Sequence, residues 1–277
     1  MDKGFLYIAF GKRYLQEVEI SARSLKRFTK LPVCVITDDI NFSSEYVDEI
    51  IITDTVTDFV SKIVCFPKTP FKKNVFLDTD TFVCAPVDQL FDVLDIFDIA
   101  MTVERYNHSY GFIHEYNPGF NIRYENVLPE YHTGVIVYKF NEAVKSLFTD
   151  WLQIHNAIRL KTDMPSFREA FIQHIGKVNI ATLPFEYNYY GTHSFGFAHT
   201  EIKIIHERLG EKWNTLTRVM LPYEKMEKKA KMMNRYHCKR IIIPYIGVLP
   251  YTWNPYRLKY KLKSFFGIKK TKKSETF

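Results

Sequence analysis

The chain is predicted to be an α/β protein, with a mostly parallel central sheet flanked by helices over residues 1–215 and a basic helical extension and tail over 216–277. Three observations lead there. The sequence opens on a strand-helix-strand succession, several apolar runs end on aspartates, and lysine and arginine gather toward the C-terminal end. A length of 277 residues is enough for one large domain with a substantial core.

Phe5 to Phe10 is an apolar run read as a buried strand, and it gives way at Gly11 to helical periodicity. Leu15, Val18, Ala22, Leu25 and Phe28 recur at spacings of three and four with charged residues between them, and Pro32 closes that helix. Val33 to Thr37 forms a second strand stopping at Asp38, and Ile50 to Thr53 a third stopping at Asp54. Strand, helix, strand at this spacing is a βαβ unit, which builds a parallel sheet. A helix through Asp58 to Phe66 and a turn at Pro67 and Pro70 lead to a fourth strand, Asn74 to Leu77, which runs into Asp78. Ile99 to Val103 and Thr133 to Tyr138 read as further strands. Helices follow at Glu142 to Ile158 and Ser166 to Ile175, then short strands at Ile180 to Leu183 and Ile202 to Ile205. Residues 105–131, rich in Tyr, Asn, Gly and His, form an irregular stretch of the length that in a compact domain usually carries function. A charged helix is expected past residue 220.

Hydrophobic residues make up 46% and charged residues 25%, the profile of a globular chain. The net charge of +7 is uneven: residues 201–277 hold 19 Lys/Arg against 6 Asp/Glu, leaving the first 200 residues acidic. A nucleic-acid reader would carry positive charge across its docking face, so nucleic acid is not an expected partner. The basic end fits an anionic membrane surface instead. Cys34, Cys65, Cys84 and Cys238 show no paired spacing and are read as reduced thiols, and the opening residues show no signal-peptide pattern. The apolar run Ile241 to Tyr251 is broken by Pro244 and Pro250 and is too short to span a bilayer. A cytoplasmic protein is expected, with any membrane contact peripheral.

The chemistry centres on Phe76-Leu77-Asp78-Thr79-Asp80-Thr81-Phe82-Val83. Two carboxylates two residues apart at the end of a buried strand repel each other unless a cation lies between them. Mg²⁺ or Mn²⁺ also takes the oxygens of a diphosphate, so a metal-diphosphate site answers both needs. In open parallel sheets the ligand crevice lies at the carboxyl ends of the strands, so Asp38, Asp54, Asp78 and Asp80 can approach one cleft. The bland alternative is a solvated turn capping the next element.

At these residues the chain resembles a GT-A type glycosyltransferase, whose Asp-x-Asp motif holds a divalent cation against the diphosphate of a nucleotide sugar. The likeness spans residues 4–210. Tyr7-Ile8-Ala9-Phe10-Gly11 resembles the first strand and turn that hold the nucleotide base. The run from Phe71 to Asp80 resembles the approach to the metal site, which implies Asp78, Thr79 and Asp80 at the nucleotide sugar and Asp78 and Asp80 at the metal. His132-Thr133-Gly134-Val135 is similar to the Asn-Thr/Ser-Gly-Val segment lining the donor-sugar pocket, with His132 in place of Asn. Asp163-Met164-Pro165-Ser166-Phe167 resembles an Asp-Gln-Pro-x-Phe segment whose carboxylate lies near the transferred sugar, with Met164 in place of Gln. The resemblance implies His206, closing Ile204-Ile205-His206, as third metal ligand, ahead of His193 and His199. An imidazole beside two carboxylates suits Mn²⁺. Lys62 stands where similar enzymes set a basic residue toward the nucleotide.

The expected function is therefore transfer of a sugar from a nucleotide diphosphate sugar, UDP by default from the resemblance, to a hydroxyl of a glycan or lipid-linked acceptor. Asp163 and Glu186 are the candidate catalytic carboxylates. Tyr106, Tyr110, Phe112, Tyr116, Phe120, Tyr124 and Tyr131 offer faces on which sugar rings stack. The tail from Tyr256 to Lys273 interleaves aromatic and aliphatic residues with basic ones, as a segment lying on an anionic membrane does. Two other readings compete. Asp78-Thr79-Asp80-Thr81 also fits a haloacid dehalogenase-type phosphatase, although that motif normally ends the first strand of its fold. The other is a non-catalytic sugar-nucleotide or glycan-binding module.

Overall fold

Alternate residues of the first strand face opposite ways, and each set meets a different layer of helices. This computed structural model describes residues 1–54, 60–104, 119–121, 124, 127–158, 162–190, 198, 200–209 and 219–237. Nine strands are present among them: β1 (Lys3–Ile8), β2 (Val33–Thr37), β3 (Glu49–Ile52), β4 (Lys73–Leu77), β5 (Thr81–Val83), β6 (Ile99–Val103), β7 (Tyr131–Lys139), β8 (Ile180–Thr182) and β9 (Ile204–His206). The helices are α1 (Lys12–Lys26), α2 (Val60–Cys65), α3 (Leu90–Val93), α4 (Glu142–Ile158), α5 (Met164–Gln173) and α6 (Tyr223–His237).

Seven strands form one sheet in the order β3-β2-β1-β4-β7-β6-β8. Only β7 runs against the rest, pairing antiparallel with both β4 and β6. On one face Phe5, Tyr7, Val33, Val35, Val75 and Val137 pack under Leu15, Val18, Ala22 and Leu25 of α1 and Leu90 and Phe91 of α3. On the other, Leu6, Ile8, Cys34, Ile36, Phe76 and Tyr138 meet Ile63 of α2, Leu147, Phe148 and Trp151 of α4 and Phe167 of α5. The layering is helix, sheet, helix, and each fully buried Leu, Ile or Phe adds about 1.5–3 kcal/mol.

Chain order leaves β1 in both directions, through β2 and β3 on one side and through β4 on the other. The switch point of the sheet therefore lies between β1 and β4, and Asp78 follows β4 at its carboxyl end. Asp78 closes the fourth strand of the chain, not the first, which separates it from the phosphatase pattern.

A second, two-stranded sheet pairs β5 with β9 antiparallel, Thr81 opposite His206. Under it lies a third apolar cluster in which Phe82, Ile202 and Ile205 take up Tyr223, Met226 and Ala230 of α6. That helix thus belongs to the compact unit Met1–Cys238, whereas the sequence reading set the boundary at residue 215. Residues 238–277, which hold Cys238, the apolar run from Ile241 and the tail from Tyr256, lie outside the described residues. Cys34, Cys65 and Cys84 are unbridged. No helix among the described residues is long and apolar enough to cross a membrane.

Candidate active site

The aspartate turn is held from below by α1. Its apolar stripe faces the sheet, but Glu17, Ser21 and Ser24, spaced by four and three, are also buried. They form a polar stripe aimed at residues 79–83. Thr79 Oγ1 donates to Glu17 Oε2 at 2.7 Å, Ser21 Oγ lies 2.8 Å from Thr81 Oγ1, and Val83 N donates to Ser24 Oγ at 2.9 Å. Tyr7 Oη extends the chain to Ser21 at 2.8 Å. Thr81 Oγ1 also donates to Asp78 O at 2.8 Å, closing the turn.

Register delivers the histidine. With Thr81 opposite His206 in the β5–β9 pair, the imidazole arrives beside the turn. His206 Nε2 lies 3.1 Å from Asp80 Oδ1 and 3.6 Å from Asp78 Oδ2. One ligand atom from each of Asp78, Asp80 and His206 falls within 4.8 Å of the others. His206 Nδ1 donates to Asn188 Oδ1 at 3.0 Å, and Asn188 Nδ2 donates to Thr102 Oγ1 at 3.1 Å. That outer bond turns Nε2 toward the carboxylates, the arrangement that orients metal-ligating histidines.

The electrostatics fit a cation. Burial pushes the Asp78 carboxyl up, only partly offset by Lys62 and His206. Asp80 is the more buried of the two, yet His206 and Arg208 hold it well below the usual carboxylate range. For His206, burial opposes charge, but Asp80 and Asp78 outweigh it and raise its affinity for a proton. Two carboxylates and an imidazole that attracts positive charge form a mixed oxygen and nitrogen donor set of the kind Mn²⁺ accepts.

A second knot lies beside the first. Lys62 Nζ is 2.7 Å from Asp163 Oδ2 and 3.6 Å from Asp78 Oδ1, and donates to Thr133 O and Oγ1 at 3.2 Å each. Thr133 Oγ1 donates to Asp163 Oδ1 at 2.9 Å. Burial would discharge Lys62, but Asp163 and Asp78 prevail and raise its pKa. Asp163 occupies the N-cap position of α5 without a side-chain capping bond. Ser166 Oγ donates to Asp163 O at 2.8 Å, and the Asp163 carboxylate turns instead to Lys62. Thr133 reaches this position through a bulge: β6 pairs Met101 with Ile136 but Thr102 with His132, so the residues between leave the ladder.

Gly134 is required by its neighbour. A Cβ there would lie 2.0 Å from His206 Cε1 and 2.3 Å from Nδ1. His132, where the resembled segment has Asn, accepts from Gly134 N at 3.2 Å through Nδ1, and its ring meets His206 edge-on with centroids 4.9 Å apart. Burial and the neighbouring His206 push its pKa down to about 3, so the ring is neutral.

Other predicted residues fall at the carboxyl ends of β1 and β2. Ala9 is buried and donates its N–H to Ile36 O at 2.9 Å, and Phe10 packs at the edge of the core. Gly11, at φ 87°, turns the chain into α1, and its N–H approaches Asp38 Oδ1 at 3.4 Å. Asp38, Ile40, Ile52, Thr53 and Asp54 line one open groove. Glu186 is engaged elsewhere: its Oε1 accepts from Thr200 N at 2.8 Å and Thr200 Oγ1 at 3.2 Å. Tyr131 faces inward, edge-on to Phe167 and Phe171, while Tyr124 is exposed. Tyr106, Tyr110, Phe112, Tyr116, His193 and His199 lie outside the described residues. The sequence reading missed Glu17, Asn188 and Arg208. For Glu17 a signal existed, a polar i, i+4, i+7 stripe shared with Ser21 and Ser24.

No family model and no curated protein matches the chain. Solved structures do. Mouse xyloside xylosyltransferase 1, in its apo form, superposes with a TM-score of 0.52 at 14% identity, covering 80% of this chain and 100% of that one. The apo bifunctional glycosyltransferase WbbM gives a TM-score of 0.53 at 15% identity, over 85% of this chain and 51% of its own. An active-site mutant of LgtC gives 0.52 at 10% identity, over 84% and 96%. This chain therefore has the GT-A fold in which these glycosyltransferases are built.

Proposed function

We propose that the protein is a glycosyltransferase that moves a sugar from a nucleotide diphosphate sugar to a hydroxyl of a glycan or lipid-linked acceptor, with a divalent cation at Asp78, Asp80 and His206. The observation that carries this reading is the convergence of those three ligand atoms within 4.8 Å at the switch point of a GT-A sheet. A cation bound there would supply positive charge to the departing diphosphate.

The chain's own residues do the rest. Lys62, fixed by Asp163, Asp78 and Thr133, supplies a second positive charge beside the diphosphate without needing to reorganise. Asp163 and Thr133, bonded to each other and to Lys62, are proposed to border the pocket of the transferred sugar, and Gly134 keeps the β7 backbone clear of His206. The groove between Asp38 and Asp54 takes the nucleoside, with carboxylates available to ribose hydroxyls. UDP is the proposed nucleotide and Mn²⁺ the proposed ion. Asp163, which shares Lys62 with Asp78, is preferred over Glu186 as the carboxylate acting on substrate. The basic C-terminal segment is proposed to rest on an anionic membrane surface beside a lipid-linked acceptor.

A thermal-shift panel of nucleoside diphosphates with and without Mn²⁺ tests the reading, since a ligand that binds only the native state raises its stability. A shift that needs both UDP and Mn²⁺ supports it. Turnover of a chromogenic phosphate ester, with no response to any nucleotide, would overturn it.

A further inference from the structure

Arg208 lies two residues beyond His206, and its guanidinium joins two carboxylates from distant parts of the chain. Nε and Nη2 donate to Glu17 Oε1 and Oε2 at 2.6 and 3.1 Å, the two-pronged match that only arginine makes. The remaining nitrogen, Nη1, is 2.8 Å from Asp80 Oδ2. Asp80 thus gives one oxygen to Arg208 and turns the other, Oδ1, to His206 at 3.1 Å. Glu17 is 2% exposed and also accepts from Thr79, the residue between the two aspartates.

A buried carboxylate is costly unless paired, and a partner anywhere on the rim of α1 would satisfy that need. The third arm is different: it reaches a candidate metal ligand and sets which of its oxygens is free. We infer that Arg208, braced by Glu17, is a positioning residue for the cation site, holding Asp80 so that Oδ1 faces the space shared with Asp78 and His206. This rests on the cation reading given above. Glu17 touches neither Asp78 nor His206, so its influence on the ion runs through Arg208 and Thr79. Lysine at position 208 would keep the charge but could not hold both oxygens of Glu17 while reaching Asp80.

The test is Mn²⁺ binding to the full-length protein in the presence of UDP, followed by the EPR signal of free Mn²⁺, with the metal-free thermal midpoint recorded for each variant. Arg208→Gln should weaken Mn²⁺ binding by about 10–100-fold, the usual loss when an outer-shell partner of a ligand is removed. Arg208→Lys should recover part of it. Glu17→Gln, which keeps size and shape and guards against a variant that fails to fold, should weaken binding in the same direction. Folded Arg208→Gln and Glu17→Gln proteins that bind Mn²⁺ within about twofold of the parent would overturn the inference, leaving Arg208 a purely structural bridge. If the parent protein itself takes up no Mn²⁺ with UDP, the cation reading fails first, and the two failures are told apart.

Discussion

Gly134→Ala is the smallest change that should separate the metal site from the fold. The added methyl would lie 2.0 Å from His206 Cε1, whereas ordinary contact begins at 3.4 Å, so the imidazole must retreat by about 1.4 Å. It has little room. Asn188 holds Nδ1, while the rings of His132 and Tyr190 stand 4.9 and 5.5 Å away, centroid to centroid. Overpacking of this kind costs about 1–3 kcal/mol. In a domain of this size each kcal/mol lowers the midpoint by about 2–4 °C, so the variant should remain folded at room temperature. Displacing a reacting or ligating group by about 1 Å is far more damaging to function, on the order of 10²-fold. The assay is Mn²⁺ affinity by EPR in the presence of UDP, beside a thermal melt. A variant that melts lower yet binds Mn²⁺ as tightly as the parent would refute the idea that Gly134 exists to seat His206 as a ligand.

Lys62→Met should destabilise the protein by about 3–5 kcal/mol in urea unfolding, because it strands Asp163 and Asp78 without their buried cation. Adding Asp163→Asn should recover part of that loss, and no recovery would mean the pair is not coupled. Asp163→Asn alone should slow nucleotide-sugar turnover by about 10²-fold or more, while Glu186→Gln, bonded to Thr200, should act on stability rather than turnover; the reverse pattern would reassign the carboxylate. The pH dependence follows from His132, whose folded pKa of about 3 lies below its unfolded value near ~6.5. Its contribution is complete above the unfolded value and is lost as pH falls through that window, the unfolded chain binding the extra proton. His206 has the opposite sign, being raised, so its contribution is lost as pH rises through its folded value and does not explain an acid loss. Between about pH 4 and 6.5, His132→Asn should therefore flatten the stability profile; an unchanged slope would place the titration elsewhere.

The central fold was legible because its strands are short apolar runs ended by aspartate, proline or glycine, and α1 carries an unbroken apolar stripe. Val33–Thr37 and Glu142–Ile158 were read with the bounds observed. β5 and α3 were not anticipated, since three or four residues leave too little periodicity to register. The antiparallel direction of β7 is likewise invisible locally, being set by which neighbours the strand finds. Within the site, Asp78, Asp80 and His206 could be named from residue type and motif order, and the structure brings those three together. Arg208 and Asn188 could not, because their meaning lies in contacts across 191 and 86 residues of chain, to Glu17 and Thr102. Asp163 shows the limit from the other side. Its sequence context reads equally as a helix cap, and only the absence of a side-chain capping bond, with the turn toward Lys62, separates the two.

The most direct test is anomalous diffraction at the manganese edge from crystals grown with Mn²⁺ and UDP. A single peak bounded by Asp78, Asp80 and His206, with diphosphate density completing its coordination, is the expected result. Manganese bound elsewhere, or UDP bound at the sheet switch point with no ion beside it, would contradict the assignment of these three residues to a cation.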